Sequence, residues 1–370
     1  MPDFSAVDEF LGSAVAAGHF PGAVYLVGRG RAALVCRAFG SAVVTPEAIP
    51  ASPETIYDLA SLTKPLVTAL LCILLRQDEL LDLDARASHY LPELAANDKR
   101  AVTVKQLLTH SAGLPAWRPL YAELEDPGQV VRYIAGVPLE YEPGTKVIYS
   151  DLGFILLGKL VERLSARPLA EVAGARIFLP LALAHTCFNP PQSLRPKIAA
   201  TEEGNRYEKE LAGAAASHFR GWRSRLIWGE VHDGNAHFLG GAAGHAGLFA
   251  TAEDVFRLAQ QFLPGGELVR AENLPHFSTN FTQGLGIDRS IGWTLATNRQ
   301  GAAGARLGER AFGHSGFTGT SLWLEPDRQH TFILLTNRVH PRRSDCDMDE
   351  LRRGFHDRAA VALAAGELTG

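Results

Sequence analysis

The stretch from residue 60 to residue 75 constrains this chain most, because it joins two reactive side chains to an apolar helical pattern. Ser61 and Lys64 stand three positions apart, and apolar residues then recur at helical spacing at Leu66, Ala69, Leu70, Ile73 and Leu74. Pro65 fits only the first turn of a helix, since the backbone N–H groups there have no helical partner. The pattern therefore predicts a buried helix that begins at Ser61.

The spacing of Ser61 and Lys64 also carries a chemical prediction. Positions i and i+3 share one face of a helix, so the serine hydroxyl and the lysine amine can meet. A serine hydroxyl is a weak nucleophile until a neighbour takes its proton, and a lysine in a dry pocket loses part of its preference for charge. The helix start favours a developing anion. A helix-capping serine followed by a surface lysine would give the same pattern. Other residues are therefore needed to distinguish a catalytic pair from a plain helix cap.

Composition excludes several classes of function. The 370 residues are enough for two lobes or one large domain, and 46% hydrophobic with 21% charged residues is typical of a globular chain. The net charge of -4 and the lack of a basic patch argue against nucleic-acid binding. The apolar run 66–75 is too short to span a bilayer. We expect thiols rather than disulfides at the four scattered cysteines, Cys36, Cys72, Cys187 and Cys346.

The first residues, 1–5, lack the basic start and apolar core of a signal peptide. If Met1 is the natural start, we expect a cytoplasmic protein. If a signal peptide has been removed, we expect a periplasmic one. The sequence does not predict an oligomeric state.

The order of predicted elements is strand-rich at both ends and helical in the middle. We predict helices over 4–18, 61–75, 103–110, 127–135, 152–167, 168–176, 251–262 and 347–365; strands over 23–27 and 32–39, near 290 and near 304; a hairpin of 313–324 with 331–336; and loops over 190–235. This order predicts an α/β (α+β) chain. Residues 1–75 and 245–370 would form an α/β lobe, and residues 76–244 a mainly helical lobe.

Three further motifs carry candidate chemistry. Tyr149-Ser150-Asp151 precedes a helix, and a phenol with a lowered pKa can act as a general base toward a serine; a buried tyrosine before a capped helix would look the same. The segment 313–316, Gly-His-Ser-Gly, opens a strand whose small residues would let a substrate lie along its edge, although a glycine-rich strand entry is the plain alternative. The small residues of 240–251 indicate close backbone packing.

A fourth segment, 229–237, leaves two interpretations open. His232, Asp233, His237 and His245 could hold a metal ion, but they lack the short paired spacing of common zinc sites, so we expect no metal. We expect the segment to border a cleft instead. The tryptophans just before it, Trp222 and Trp228, could wall an acyl pocket or simply pack in the interior.

Taken together, these motifs resemble the serine β-lactamase and penicillin-binding-protein-like family, in particular its class C β-lactamase, D-alanyl-D-alanine carboxypeptidase and esterase branch. The family motifs Ser-x-x-Lys, Tyr-x-Asn and Lys/His-Thr/Ser-Gly are matched in order by 61–64, 149–151 and 314–316. Segments 107–115 and 246–251 also resemble family segments. The resemblance implies an antiparallel sheet flanked by helices with an inserted all-helical lobe, and an active site at the interface of the two lobes.

The resemblance also implies roles for individual residues. Ser61 would be the acylated nucleophile, Lys64 and Tyr149 would share the proton transfer, and His314 would orient the substrate or relay a proton. Backbone N–H groups of Ser61 and Phe317 would form the oxyanion hole. The remaining implied positions bind substrate or border the cleft: Asp151, Ser315, Gly316, His110, His232, Asp233 and His245.

Two departures from the family pattern bear on which substrate we expect. Asp151 stands where the family often has asparagine, and His314 stands where class C β-lactamases have lysine. We therefore expect a serine hydrolase that acts through an acyl-enzyme on Ser61 without a cofactor, most simply an esterase or β-lactamase-like enzyme for small-molecule esters or β-lactams. A D-alanyl-D-alanine carboxypeptidase is the alternative, and a catalytically silent peptide-binding or assembling member is the alternative of another class.

Overall fold

The computed structural model describes residues 2–96, 98–298 and 301–368. Its α-helices are α1 (Ser5–Ala16), α2 (Leu70–Gln77), α3 (Val104–Leu108), α4 (Leu120–Glu123), α5 (Val130–Gly136), α6 (Asp151–Ser165), α7 (Leu169–Ala173), α8 (Arg206–Ala212), α9 (Gly234–Phe238), α10 (Ala252–Ala259) and α11 (Met348–Leu368). Its strands are β1 (Gly22–Arg29), β2 (Ala32–Val43), β3 (Ile49–Pro50), β4 (Tyr57–Asp58), β5 (Cys187–Phe188), β6 (Leu248–Ala250), β7 (Thr294–Leu295), β8 (Phe312–Ser315), β9 (Ser321–Glu325) and β10 (His330–Thr336).

The main sheet combines strands from both ends of the chain. Within the described residues it has seven strands in the order β3-β2-β1-β10-β9-β8-β7, and every pair is antiparallel. The α+β class and the antiparallel sheet flanked by helices are thus confirmed. The last two strands of this order, β8 and β7, bring Phe312–Ser315 and Thr294–Leu295 to one side of the sheet, beside the Ser61 segment.

The interior strand β1 shows why helices cover both faces of this sheet. Alternate side chains of a strand point to opposite faces, and here both sets are buried. Tyr25 packs with α1 and α11 in one core, whereas Val24 and Leu26 join the large core that contains α2, α6 and α10. The near-continuous apolar run of β1 follows from this double coverage.

The Ser61 segment is helical from residue 60 to residue 77, but its winding changes along the way. Ala60–Leu62 is a 3₁₀ turn, Lys64–Ala69 is π-helical with Pro65 in its first turn, and α2 follows. The predicted helix and the position of Pro65 are confirmed. By length and composition, residues 60–77 could cross a membrane, yet 83% of this window is buried inside the protein.

Several predicted boundaries agree with the structure, and three predictions were wrong. The helix predicted over 103–110 is confirmed as α3, which Thr103 opens with a capping box. The predicted strand 313–324 is instead two strands, β8 and β9, because residues 316–320 turn with Gly319 at φ +104°. No strand lies near 304 in the described stretch 301–311. The predicted loop region 190–235 contains the helix α8, whose run Arg-Tyr-Glu-Lys-Glu-Leu-Ala consists mostly of good helix formers. The four cysteines are free, as expected.

Candidate active site

The backbone just before Ser61 is held in an unusual conformation. Ala60 has φ +47°, which an L-residue adopts only when its surroundings hold it there. The buried carboxylate of Asp58 accepts hydrogen bonds from the backbone N–H of Ala60 and of His232, both at 2.8 Å. Thr63 donates from its hydroxyl to the carbonyl of Ala60 at 2.7 Å. The turn that presents Ser61 is therefore fixed from two sides.

Lys64 is the centre of the polar contacts around Ser61. Its Nζ lies 2.9 Å from Ser61 Oγ and 3.0 Å from the backbone carbonyl of His245. Nζ also lies 2.7 Å from Asp151 Oδ1, and the lysine side chain is fully buried. The i, i+3 spacing thus brings the serine and lysine side chains into hydrogen-bond contact.

The charge on Lys64 is set mainly by Asp151. Burial alone would lower the pKa of Lys64, but the Asp151 carboxylate and the nearby Tyr149 more than offset this, so the pKa is raised. Lys64 is consequently an ammonium in the resting site. The Asp151 carboxylate engages the lysine and offers no amide donor.

Tyr149 covers the lysine from the side. Nζ of Lys64 lies 4.8 Å from the centre of the phenol ring, and the hydroxyl is buried without a hydrogen bond of good geometry to any described residue. Burial raises the pKa of Tyr149, and Lys64 offsets this only in part. Ser150 caps α6 by accepting from the Gly153 N–H, as the capped-helix alternative required.

The edge of β8 forms the opposite wall of the cleft. His314 and Ser315 end this strand, and Gly316 and Phe317 begin the turn that follows. A side chain at Gly316 would collide with Thr320 Oγ1 and with the Leu59 carbonyl, so only glycine allows β8 to approach the Ser61 turn this closely.

His314 is neutral in this environment. Burial, and then the charges of Arg289 and Lys64, hold its pKa well below the ordinary value for histidine. Nδ1 lies 2.8 Å from the carbonyl of Ser315, which can only accept, so Nδ1 carries the proton. Nε2 is then an acceptor, buried and without a described partner.

The other predicted cleft residues lie around this centre in different roles. His245 Nε2 lies 2.9 Å from Asp233 Oδ1, and Asp233 also caps α9. His232 pairs with Glu202 at 3.0 Å, and its ring stacks on Phe317. His110 is fully enclosed behind Tyr149, where its Nδ1 accepts from the Ser150 N–H at 3.0 Å. His110 and His245 therefore do not line the cavity but contact residues that do or that adjoin it.

These walls enclose a cavity of about 500 Å³. It is lined by the following residues, which include most of the predicted site: Ala60, Ser61, Ala116, Trp117, Tyr149, Asp151, Tyr207, Glu208, Leu211, His232, Asp233, Ala246, Arg289, Thr294, His314, Ser315, Gly316, Phe317, Arg338 and Arg352. Trp222 lines a neighbouring cavity, and Trp228 donates from its indole N–H to the Ile198 carbonyl at 2.7 Å. Neither tryptophan is among these lining residues.

Four charged lining residues were not predicted from the sequence: Arg289, Glu208, Arg338 and Arg352. Arg289 is buried, and its Nε and one terminal nitrogen lack a hydrogen bond to any described residue; burial lowers its pKa to about 10. Glu208 lies on α8, inside the region that was predicted to be loop. An isolated arginine carries no sequence signal, whereas the helix-forming run around Glu208 could have been recognised.

One group of side chains has donor atoms close enough to suggest a metal site: Asp151, Asp233 and His245. The Asp151 carboxylate is already paired with the ammonium of Lys64, and Asp233 is paired with the His245 ring. A cation would have to compete with Lys64 for the same space and the same carboxylate. The donor set therefore fits the lysine better than it fits a metal ion.

Comparisons with known proteins identify the family of this chain. The sequence model of the family described as Beta-lactamase matches residues 7–356. A relative from Escherichia coli (strain K12), named "Putative D-alanyl-D-alanine carboxypeptidase", is 34% identical over 332 residues, which cover 83% of this chain and 74% of the relative.

Solved structures show the same fold. The hydrolase EstCE1, described as having promiscuous acyltransferase activity, superposes with a TM-score of 0.75 at 21% identity and covers 96% of this chain and 98% of its own. A penicillin-binding protein homologue from Caulobacter crescentus has a TM-score of 0.75 at 22% identity, and the match covers 97% of both chains. The family match spans nearly the whole chain, and the chain belongs to the beta-lactamase family of serine hydrolases.

Proposed function

We propose that this protein hydrolyses small esters and activated amides through an acyl-enzyme on Ser61. The observation that carries this proposal is the 2.9 Å contact between Lys64 Nζ and Ser61 Oγ, at the edge of a cavity large enough for a small substrate. The hydroxyl attacks the substrate carbonyl, a bond forms between Oγ and the carbonyl carbon, and the leaving group departs with a proton. Water then attacks the ester on Ser61 and releases the acid.

The proton from Ser61 must pass into the group formed by Lys64, Tyr149 and Asp151. Lys64 rests as an ammonium and donates toward Ser61 Oγ, so it cannot accept a proton until it gives one up. The Asp151 carboxylate, 2.7 Å away, stabilises this ammonium, so the free amine that can accept the serine proton forms only when Lys64 has lost its own proton to solvent.

The charge that develops on the substrate oxygen needs its own partners. Ser61 and Phe317 both line the cavity, and their backbone N–H groups are the donors that we assign to this role. Donors of this kind, held in place before reaction, are usually the largest single contribution to acyl transfer.

The polar groups of the site favour esters over β-lactams. The neutral His314 gives no positive charge to a lactam carboxylate, and the Asp151 carboxylate gives no amide donor. An ester also has a better leaving group than an amide and needs less help from a proton donor.

A D-alanyl peptide is the second candidate substrate. The name of the Escherichia coli relative points to this class, and Arg289 offers a buried guanidinium that lies 5.3 Å from the Tyr149 ring and has nitrogen atoms free for a carboxylate. A peptide that ends in a free carboxylate would complement this charge.

A substrate panel tests these proposals together. We expect turnover of p-nitrophenyl butyrate by the wild-type protein and none above background by Ser61→Ala, with nitrocefin and a D-Ala-D-Ala peptide as competing substrates. Faster hydrolysis of the peptide than of the ester would favour the second candidate. A folded wild-type protein that turns over none of the three would support the catalytically silent alternative.

A further inference from the structure

Glu208 is a buried carboxylate that faces the active-site cavity and that the proposed reaction does not use. The residue is only 6% exposed. Its Oε1 accepts a hydrogen bond from the Gly234 N–H at 2.7 Å, while Oε2 has no hydrogen bond of good geometry to any described residue. A buried charged oxygen without a partner is costly unless a ligand or solvent supplies one.

The neighbours of Glu208 carry charges of both signs, with His232 and Arg223 on the basic side. Asp233 adds a second carboxylate, and burial together with Asp233 raises the pKa of Glu208 to about 7. The Tyr121 hydroxyl lies close by, but it does not meet Oε2 with hydrogen-bond geometry. The nearest arginine, Arg223, directs its guanidinium to the carbonyls of Val231 and His232 rather than to Glu208.

An aromatic face in the cavity is also available to an organic cation. Trp117 lines the same cavity as Glu208, and aromatic faces attract cations. The two other aromatic residues, Tyr207 and Phe317, already face the guanidinium groups of Arg343 and Arg338.

Three arginines line the same cavity: Arg289 lies against Tyr149, Arg338 donates to the Phe317 carbonyl, and Arg352 donates to the carbonyls of Gly316 and Thr320. Among the described residues, none of the three forms an ion pair with Glu208.

We propose that Glu208, with Asp233 beside it, forms a subsite for a cationic group, such as an ammonium, carried by the substrate that Ser61 attacks. This inference rests on the proposed hydrolase function. The bound cation would donate to Oε2 of Glu208, which has no hydrogen-bond partner among the described residues. The preferred substrates would then be esters or amides of amino compounds rather than plain aliphatic ones.

The competing explanation is that Glu208 only holds α9 in place through its bond to Gly234. Glu208→Gln keeps an oxygen acceptor for that bond and removes only the charge, so it separates the two roles. Glu210→Gln is the matched control, because Glu210 lies on the same helix, two residues away, and is exposed to solvent.

The test compares substrates that differ only in charge. On the acyl side, p-nitrophenyl 6-aminohexanoate is paired with p-nitrophenyl heptanoate, in which a methyl group replaces the ammonium. On the alcohol side, acetylthiocholine is paired with 3,3-dimethylbutyl thioacetate. For each pair the readout is the ratio of kcat/KM for the cationic substrate to kcat/KM for the neutral one.

We expect the wild-type ratio to exceed one by roughly tenfold to a hundredfold for at least one pair, as a hydrogen-bonded charge contact would give. Glu208→Gln should bring that ratio to near one, and Glu210→Gln should leave it at the wild-type value. A wild-type ratio of one or less for both pairs overturns the subsite, as does a high ratio that Glu208→Gln does not lower. If the protein hydrolyses the neutral esters and shows no preference for the cationic ones, the proposed subsite is ruled out and the proposed hydrolase function still stands.

The pH dependence of the ratio gives a second measurement that needs no variant. The charged or titratable groups that face Glu208 are Asp233, His232, Arg223 and Tyr121. Because Glu208 loses its proton near pH 7, the wild-type ratio should rise as the pH increases from about 6 to about 8. A ratio that falls over this range would contradict the assignment.

Discussion

The Lys64–Asp151 pair predicts the behaviour of one substitution in detail. Asp151→Asn keeps the size of the side chain and removes the carboxylate that holds the pKa of Lys64 up. Burial then dominates and lowers the pKa of this lysine. We expect the acid limb of the pH profile of kcat/KM to move to lower pH, since a neutral amine becomes available at lower pH.

The size of this shift follows from the contact geometry. Nζ and Oδ1 are 2.7 Å apart, the lysine is fully buried, and the side chain of Asp151 is 17% exposed. An opposite charge this close typically shifts a pKa by about 1–3 units, and each unit corresponds to about 1.4 kcal/mol. The acid limb should therefore move by about 1–3 pH units.

The same substitution has a pH-dependent effect on the free energy of unfolding. The pair holds the pKa of Lys64 above that of the unfolded chain, so its contribution is fully present below pH 10.5 and is lost as the pH rises through the folded-state pKa. In Asp151→Asn the buried lysine must carry an uncompensated proton at low pH. Chemical denaturation should therefore show a loss of stability in the variant that increases as the pH falls from about 10.

The assay is hydrolysis of p-nitrophenyl butyrate followed across the pH range. Asp84→Asn is the control, because it breaks an Asp–Lys pair at the surface, where Asp84 is 74% exposed and pairs with Lys105. This control should leave the acid limb in place. An acid limb in Asp151→Asn that stays at the wild-type position, or moves to higher pH, would refute the assigned role of the carboxylate.

Three further predictions concern the bases, the substrate order and metal ions. Lys64→Ala and Tyr149→Phe should each lower kcat by about 10²-fold or more, and the double variant should be little worse than the worse single one; full additivity in steady-state kinetics would indicate independent roles. Wild-type protein should hydrolyse p-nitrophenyl butyrate faster than nitrocefin, and His314→Lys should narrow the gap; the reverse order would contradict the neutral His314. Activity should survive EDTA, because Lys64 rather than a metal pairs with the carboxylate at this site; one equivalent of zinc by elemental analysis, with activity lost on chelation, would show this to be wrong.

Sequence reasoning succeeded where local signals and periodicity agreed. The helix after Ser61, the helix near 103–110 and the strand near 331–336 were predicted from residues close in the chain, and the structure has all three. The contact of Ser61 with Lys64 also follows from helical spacing alone.

Features of the site that depend on contacts between residues far apart in the chain could not be predicted from the sequence. The partner of Lys64 is Asp151, 87 positions away, and the sequence pattern predicted only a missing amide donor there. Arg289 and Glu208 reach the cavity through tertiary packing, so neither could be connected to Ser61 from the sequence. The single strand predicted over 313–324 was wrong because a tight turn at Gly319 needs only one glycine and hardly disturbs the apolar pattern.

The site of covalent labelling tests most directly whether Ser61 is the nucleophile. The protein is treated with a fluorophosphonate, its intact mass is measured, and the modified peptide is sequenced by tandem mass spectrometry. We expect one adduct per chain, on Ser61, and no adduct on a folded Ser61→Ala variant. An adduct on another residue, or equal labelling of the variant, would contradict the assignment of Ser61 as the nucleophile.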